Sequence, residues 1–583
     1  FSCSSIVSLL TMASCASLLI TFLTLSTVRA TAPEVTVEHG RLRGRTLTTV
    51  GGKTIYSFEG IPYAEAPVGA LRFQEPEPLR KAWQGVWDAS HPGSVCLQYD
   101  HMTYLKEEPI LGDEDCLYIN VYTTELPSSS KTVDLKDVIV YIHGGAFTYG
   151  GGHLYMPWYL LDQDIVYASI NYRLGPLGFL STEDEVVPGN NGLKDQAMAL
   201  AWLQRNVAAF GGNPSSVTIT GMSAGGASVH YHYLSPRSVG LFHKGVSMSG
   251  SALCPWTQTE EAARKARDLA SALGCPTKSN QELVDCLRNR PARRIVRLVQ
   301  TPLFMPWHFN PYSPFGPVQE KAGSNPFLTQ HPWDILQDGK VQPRPWLASV
   351  TSEEGLYPVS NFVANATLLA EIDKDWLKIA PALLDYNYTV MADRKDETSL
   401  MIKEYYMKGQ PISRATVAPF IQLASDRLFV VDVERAARLM AQAEKAPVYF
   451  YRFSYRGKHS YSEMMSWGST ENFGVSHGDD TGYMLGVDYM NPLETDADRR
   501  MSKLMVNMWV NFAKTGKPKF GDAAWTPVSP TTGLTGTLDF LHIAAPDNAK
   551  PETSADLGHR AFWDTLPFNE PANLYVAHQH TEL

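Results

Sequence analysis

The sequence predicts an α/β fold with a mostly parallel central sheet flanked by helices. Three observations carry that expectation. Short, continuous apolar or β-branched runs recur along the chain. Stretches of helical periodicity follow them. One run also passes through a tight glycine turn directly into a helix. The 583 residues are 44% hydrophobic and 19% charged, an ordinary globular balance with room for a large core.

Taken in order, VIVYIHGG (138–145), IVYASINYRLG (165–175), SVTITG (216–221) and VYFYRFSY (448–455) lack polar alternation. They suit strands buried on both faces. DQAMALAWLQRNVAAFGG (195–212) predicts a helix with Ala199, Trp202, Leu203 and Val207 on one side and Gly211 as its stop. AGGASVHYHYL (224–234) reads as a helix opening from the turn before it, and MSKLMVNMWVNFAKTGKP (501–518) as one ended by Gly516 and Pro518. No stretch has the composition of a linker, so 31–583 is read as a single domain.

The formal net charge is −10, with no run of Lys and Arg, which argues against nucleic acid as a partner. Solenoid repeats and heptad arrays are absent from the sequence. After Met12, ASCASLLITFLTLSTVRA reads as a secretory signal cleaved after Ala30. Residues 1–11 are then upstream translation and the mature chain begins near Thr31. No other stretch is long and apolar enough to cross a membrane.

Five cysteines follow the signal. Sequence neighbours make Cys96–Cys116 and Cys275–Cys286 the natural pairs, and Cys254 is left as a buried structural thiol. No cysteine spacing resembles a zinc or haem site. Asn365-Ala-Thr and Asn387-Tyr-Thr are glycosylation sequons. The last residues, HTEL (580–583), are a near relative of KDEL and HDEL. They predict a retrieval receptor as partner and the endoplasmic reticulum lumen as location, with the extracellular space as the alternative.

GMSAG (221–225) is a Gly-x-Ser-x-Gly pattern, which a chain this long would show by chance about 0.2 times. Its surroundings give it weight. SVTIT before it reads as a strand and AGGASVHYHYL after it as a helix, the context of a nucleophile elbow. A side chain at Gly221 or Gly225 would collide with the neighbouring strand and helix. The turn strains Ser223, lifts its hydroxyl clear of the sheet and sets it at a helix N-terminus that favours negative charge.

These motifs resemble type-B carboxylesterases of the α/β-hydrolase fold, the group that includes cholinesterases, and among them the insect carboxylesterases with the aphid resistance and juvenile hormone esterases. FGGNPSSVTITGMSAGG (210–226) matches the family's active-site signature. EDCLYINVY (114–122) is a second signature, and with it Cys96–Cys116 becomes the family's first disulfide. YSFEGIPYAEAPVGALRF (56–73), NYRLGPLGFLS (171–181) and GNNGLKDQ (189–196) are further landmarks. The resemblance covers nearly the whole mature chain and implies large helical insertions in the fold.

It also implies a catalytic order of Ser, Glu, His. VTSEEGLY (350–357) resembles the acidic motif whose acid stands directly before a Gly, which selects Glu354. Its neighbour Glu353 is then exposed or a supporting carboxylate. GVSHGDDTGYM (474–484) resembles the histidine motif, which makes His477 the base for Ser223. HGGAF (143–147) supplies the oxyanion donors by family position, the amides of Gly145 and Ala146, joined by Ala224. Ala146 stands where many relatives carry a third Gly, which keeps the amide but crowds the pocket. No metal or cofactor enters this chemistry.

For the substrate, the resemblance argues by exclusion. Cholinesterases place an acid before the nucleophile and a Trp in the first disulfide loop. This chain has Met222, and no Trp lies between Cys96 and Cys116. Juvenile hormone esterases usually carry Gln at the place of Met222. Pro311 and Ser313 stand where cholinesterases have bulky aromatics, which implies room for larger acyl groups. The expectation is a small-molecule partner, a neutral hydrophobic ester. The alternatives are a juvenile hormone esterase, an esterase that sequesters esters or organophosphates, and an inactive neuroligin-like binding protein. The sequence leaves the oligomeric state open.

Overall fold

The computed structural model describes residues 32–100, 109–127, 134–305, 307, 314–443, 446–487 and 493–574. The signal read at 1–30, Pro311, Ser313 and HTEL at 580–583 lie outside the described residues.

The apolar runs become neighbours in one sheet. Its strands are β1 (Arg45–Thr48), β2 (Thr54–Pro62), β3 (Tyr118–Thr123), β4 (Lys136–Ile142), β5 (Val166–Ile170) and β6 (Gly212–Met222). β7 (Lys244–Met248), β8 (Trp346–Thr351), β9 (Val448–Phe453), β10 (Leu538–Ala545) and β11 (Asn548–Ser554) complete it. They lie in the order β11-β10-β9-β8-β7-β6-β4-β5-β3-β2-β1. Pairing is parallel from β5 through β4 to β10 and antiparallel at both flanks.

The central runs lack polar alternation because both faces of the sheet are covered. On β4, Val138, Val140 and Ile142 point into one core layer while Ile139 and Tyr141 point into the other. The first layer is filled by α1 (Asn191–Asn206) and α2 (Ala224–Leu234), which contribute Trp202, Leu203, Ala227 and Val229. Farther along the chain come α3 (Leu356–Val363), α4 (Val417–Ser425) and α5 (Val431–Ala443), which belong to the helical segment between β8 and β9. The second layer takes Met505, Met508, Trp509 and Phe512 from α6 (Asp496–Thr515).

Several element ends differ from the sequence reading. α1 begins at Asn191 rather than 195, and its last turn, Val207–Phe210, tightens to a 3-10 helix before Gly211 at φ 81°. α6 begins earlier than 501, because Thr495 and Asp498 close a capping box on each other's amides. Gly516 ends it at φ 71°. β5 stops at Ile170, since 175–179 turns into a short helix (Gly175–Phe179).

Sulfur–sulfur bonds join Cys96 to Cys116 at 2.00 Å and Cys275 to Cys286 at 2.08 Å. Cys254 is buried and free, and burial pushes its thiol well above the usual range. Among the described residues no helix is long and apolar enough to cross a membrane.

Candidate active site

β6 ends at Met222 and α2 begins at Ala224, so Ser223 alone makes the turn. Its backbone sits at φ 62°, ψ −126°, a strained conformation for a residue with a side chain, costing about 1–3 kcal/mol. The neighbouring glycines make the turn possible. A Cβ on Gly221 would lie 2.4 Å from the Gly225 backbone, and one on Gly225 would lie 2.0 Å from the Ile142 carbonyl oxygen. Gly250, which the sequence reading did not single out, is equally constrained, 2.2 Å from the Ser223 carbonyl oxygen. The strained residue is tied at both ends: Ser223 N donates to Met248 O and Ala227 N donates to Ser223 O, each at 2.8 Å.

β4 leads into the second turn. Gly145 (φ 107°), Ala146 (φ 52°) and Phe147 (φ 59°) all have positive φ, which swings the chain across the end of β6. A Cβ on Gly145 would meet the Tyr149 carbonyl oxygen at 2.0 Å, so only Gly fits there. Among the described residues the Gly145 and Ala146 amides donate to no other group. The Ala224 amide is one of those that the first turn of a helix leaves unpaired. His143 anchors the turn, its ring stacked on Tyr172 at 4.4 Å and its carbonyl accepting from the Tyr172 hydroxyl at 2.9 Å. Burial pushes the His143 imidazole down to about 4, so this ring is neutral at neutral pH.

Glu354 follows β8 and is fully buried. Its Oε1 accepts from Thr351 N at 2.6 Å, and its Oε2 lies 2.5 Å from His477 Nδ1. That contact fixes the tautomer, with the proton on Nδ1 and Nε2 facing away from the acid. The imidazole packs against Phe429 and Tyr357, with ring centroids 4.5 and 5.2 Å away. Nε2 is buried with no hydrogen-bond partner among the described residues, and no hydrogen bond joins it to Ser223.

The adjacent acids hold the histidine loop. Glu353 is half-buried, and its Oε2 accepts from Val475 N and from the Ser352 hydroxyl, both at 2.6 Å. Its main chain pairs with the same loop. Gly474 holds φ 123°, a conformation that side chains rarely adopt, and its Cβ would lie 2.5 Å from the Glu353 carboxylate. Of the two roles read for Glu353, the supporting one matches the geometry. Asp479 accepts from Ser476 N, Tyr461 N and the Ser460 hydroxyl, and burial pushes its carboxyl up to about 7.

Ser223 and Ala146 line a small cavity with Trp256, Tyr357, Pro358, Leu428 and Phe429. Its volume is about 10 Å³, room for about one water. Two of its walls, Tyr357 and Phe429, also pack against the His477 ring. A larger cavity of about 380 Å³, lined by residues including Cys254, Asp432 and Glu570, shares none of these residues. The smaller space is the candidate site because it holds the strained serine. Leu428 and Phe429 sit on a π-helical turn, Asp426–Val430, between α4 and α5. The sequence reading missed them and Trp256, since each stands in an apolar stretch without a motif. Among the described residues no group of three or more His, Cys, Asp or Glu is placed to hold a metal.

The chain is similar to known esterases along most of its length. A family model described as the carboxylesterase family matches residues 31–554. Venom carboxylesterase-6 of Apis mellifera is 45% identical over 538 residues, 92% of this chain and 95% of that protein. Esterase FE4 of Myzus persicae is 45% identical over 512 residues, 87% of this chain and 88% of its own. Among solved structures, juvenile hormone esterase from Manduca sexta with OTFP covalently attached superposes with a TM-score of 0.79 at 29% identity. It covers 92% of this chain and 99% of its own.

Proposed function

The chain belongs to the carboxylesterase family and is a serine ester hydrolase of the α/β-hydrolase fold, and from that premise we propose how its residues divide the work. Ser223 attacks the ester carbonyl while His477 Nε2 takes the hydroxyl proton. Glu354 holds the imidazole in its tautomer and stabilises the imidazolium. The amides of Gly145, Ala146 and Ala224 receive the oxyanion, each donor contributing about 3–4 kcal/mol in the transition state. The alcohol leaves, water attacks the acyl-enzyme, and His477 returns the proton. The carrying observation is a strained serine lining a small apolar cavity whose walls Tyr357 and Phe429 also pack against the His477 ring, itself 2.5 Å from the buried Glu354. Serine and histidine are not hydrogen-bonded here, and such contacts commonly tighten only with substrate in place.

The lining supports neutral, hydrophobic esters. Trp256, Pro358, Leu428 and Phe429 offer no charge to a substrate, and Met222 replaces the acid that would hold a cation. A juvenile hormone-like ester is one member of that class. The protein acts in the secretory pathway, retained in the endoplasmic reticulum if HTEL is recognised and extracellular otherwise. Asn365 and Asn387 are both exposed, which supports glycosylation at each.

Hydrolysis of p-nitrophenyl acetate, butyrate and hexanoate by the purified protein and by Ser223→Ala tests the assignment. Turnover by the native protein, reduced by about 10⁴-fold or more in the variant, is expected. A single stoichiometric burst would make the protein an ester-sequestering relative. Turnover that survives Ser223→Ala would remove Ser223 from the mechanism.

A further inference from the structure

α4 and α5 are joined by the π-helical turn Asp426–Val430, closed by Val431 N donating to Asp426 O. Such turns are rare and occur mostly as single insertions in α-helices, frequently at functional sites. One side of this turn faces the site. Leu428 and Phe429 line the cavity beside Ser223, and the Phe429 ring packs on His477 with centroids 4.5 Å apart. The Leu428 carbonyl accepts from the indole of Trp256, another wall of the same cavity, at 2.7 Å.

The residues that open the turn are tied instead to the segment 559–570, which follows β11. Asp426 is fully buried. Its Oδ2 lies 2.6 Å from His559 Nδ1 and accepts from the Tyr406 hydroxyl at 2.7 Å, while its Oδ1 accepts from Gln422 Nε2 at 2.6 Å. Arg427, also buried, donates to Glu570 at 2.7 and 3.1 Å, and its guanidinium lies 4.5 Å from the centroid of Phe568. Trp563 Nε1 donates to the Tyr406 hydroxyl at 2.9 Å, and Arg435 of α5 pairs with Asp564. Two neighbouring buried groups of opposite charge, Asp426 and Arg427, thus take partners from one distant segment.

The register of the turn decides which side chains face the cavity. Leu428 and Phe429 stand two and three residues after Asp426, so a movement of Asp426 moves the cavity wall. That cavity has a volume of only about 10 Å³, and a small outward shift of the two side chains would change which acyl chain fits beside Ser223. We propose that His559 is a positioning residue for substrate choice: by holding Asp426 it fixes the π-turn that sets Leu428 and Phe429 against the Ser223 cavity, and so keeps that cavity closed to long acyl chains. The proposal rests on the triad reading above and adds a residue that lines no part of the cavity.

The test is the hexanoate-to-acetate ratio of kcat/KM for p-nitrophenyl esters, with the purified native protein, His559→Ala, His559→Asn, Tyr406→Phe and Ser223→Ala. His559→Ala should raise the ratio by about threefold to tenfold. His559 holds φ 54°, which Asn tolerates, and the Asn amide can donate where Nδ1 stands, so His559→Asn should restore the native ratio. Tyr406→Phe removes another donor to Asp426 without leaving a cation unpaired. It should raise the ratio in the same sense, and it decides alone if His559→Ala does not fold. In a Phe429→Ala background the effect of His559→Ala should disappear.

A merely structural role would lower both ester rates alike and leave the ratio where it was, which overturns the proposal. A raised ratio that His559→Asn does not restore, or that persists without Phe429, overturns it as well. If Ser223→Ala is inactive and the ratio does not move, only His559 loses its role. If Ser223→Ala turns over, the triad reading falls and this inference with it.

Discussion

At the scale of the residue, the site is built from backbone conformations that side chains normally avoid. Ser223 and Ala146 both hold positive φ, and each is locked by its surroundings. The two differ in what their side chains contribute. The Ser223 hydroxyl is the proposed reactive group, whereas the Ala146 methyl only narrows the cavity beside it. Ala146→Gly should therefore keep the oxyanion donor and relieve strain, raising stability by about 1 kcal/mol. It should also raise the hexanoate-to-acetate ratio of kcat/KM. Thermal melts and the two ester rates check this together, and a falling ratio would mean the methyl does not face the acyl group. The proposed nucleophile, acid and base can be picked out from the sequence because each sits in a motif whose glycines have a steric purpose. Phe429 and Tyr357 are not legible, because an aromatic that braces a histidine looks like any other core aromatic until the two rings meet.

At the scale of the element, function sits at the carboxyl ends of parallel strands. β4 leads into the proposed oxyanion turn, β6 into the proposed nucleophile and β8 into the proposed acid, while the proposed base stands on the long loop after β9. One close junction is where α2 leaves β6. A Cβ on Gly225 would lie 2.0 Å from the Ile142 carbonyl oxygen of β4, so the two turns are set against each other. Gly225→Ala should push them apart, abolishing esterase activity and lowering stability by about 2–3 kcal/mol. Activity assays alongside denaturant unfolding would show both losses, and a fully active variant would contradict this packing. The strands were readable as unbroken apolar runs, since burial on both faces removes alternation. Their ends were not, because a strand stops where a tertiary partner stops. α6 is the exception: its Thr495–Asp498 capping box is a start signal that the sequence itself carries.

At the scale of the whole molecule, the sequence landmarks prove to be contacts with one another. Arg72 in YSFEGIPYAEAPVGALRF meets Glu114 in EDCLYINVY through two hydrogen bonds of 2.6 Å. Arg173 in NYRLGPLGFLS meets Asp195 in GNNGLKDQ at 2.7 and 2.8 Å. Asp195 is fully buried, so Asp195→Asn leaves an uncompensated guanidinium and should cost about 3–5 kcal/mol in denaturant unfolding. A loss below about 1 kcal/mol would show that the pair is replaceable.

Acid acts on the same scale. His143 is held down to about 4, and His230 and His232 to about 3, each by burial. Below the unfolded value near 6.5 the unfolded chain takes up protons that the folded chain refuses. The stability these rings contribute is present above pH 6.5 and is lost as pH falls toward 4. His143 alone should account for about 2 kcal/mol lost between pH 8 and pH 5. His143→Gln should lose correspondingly less over that range, and equal losses in both proteins would place the acid sensitivity elsewhere.

The central claim is that Ser223 carries the acyl group. The most direct measurement is mass spectrometry of the protein after reaction with a fluorophosphonate that forms stable serine adducts, followed by peptide mapping. One adduct per chain on the peptide containing Ser223, with hydrolysis of p-nitrophenyl esters lost in proportion, is the predicted result. Labelling at another serine, or full esterase activity after Ser223 is modified, would contradict the account.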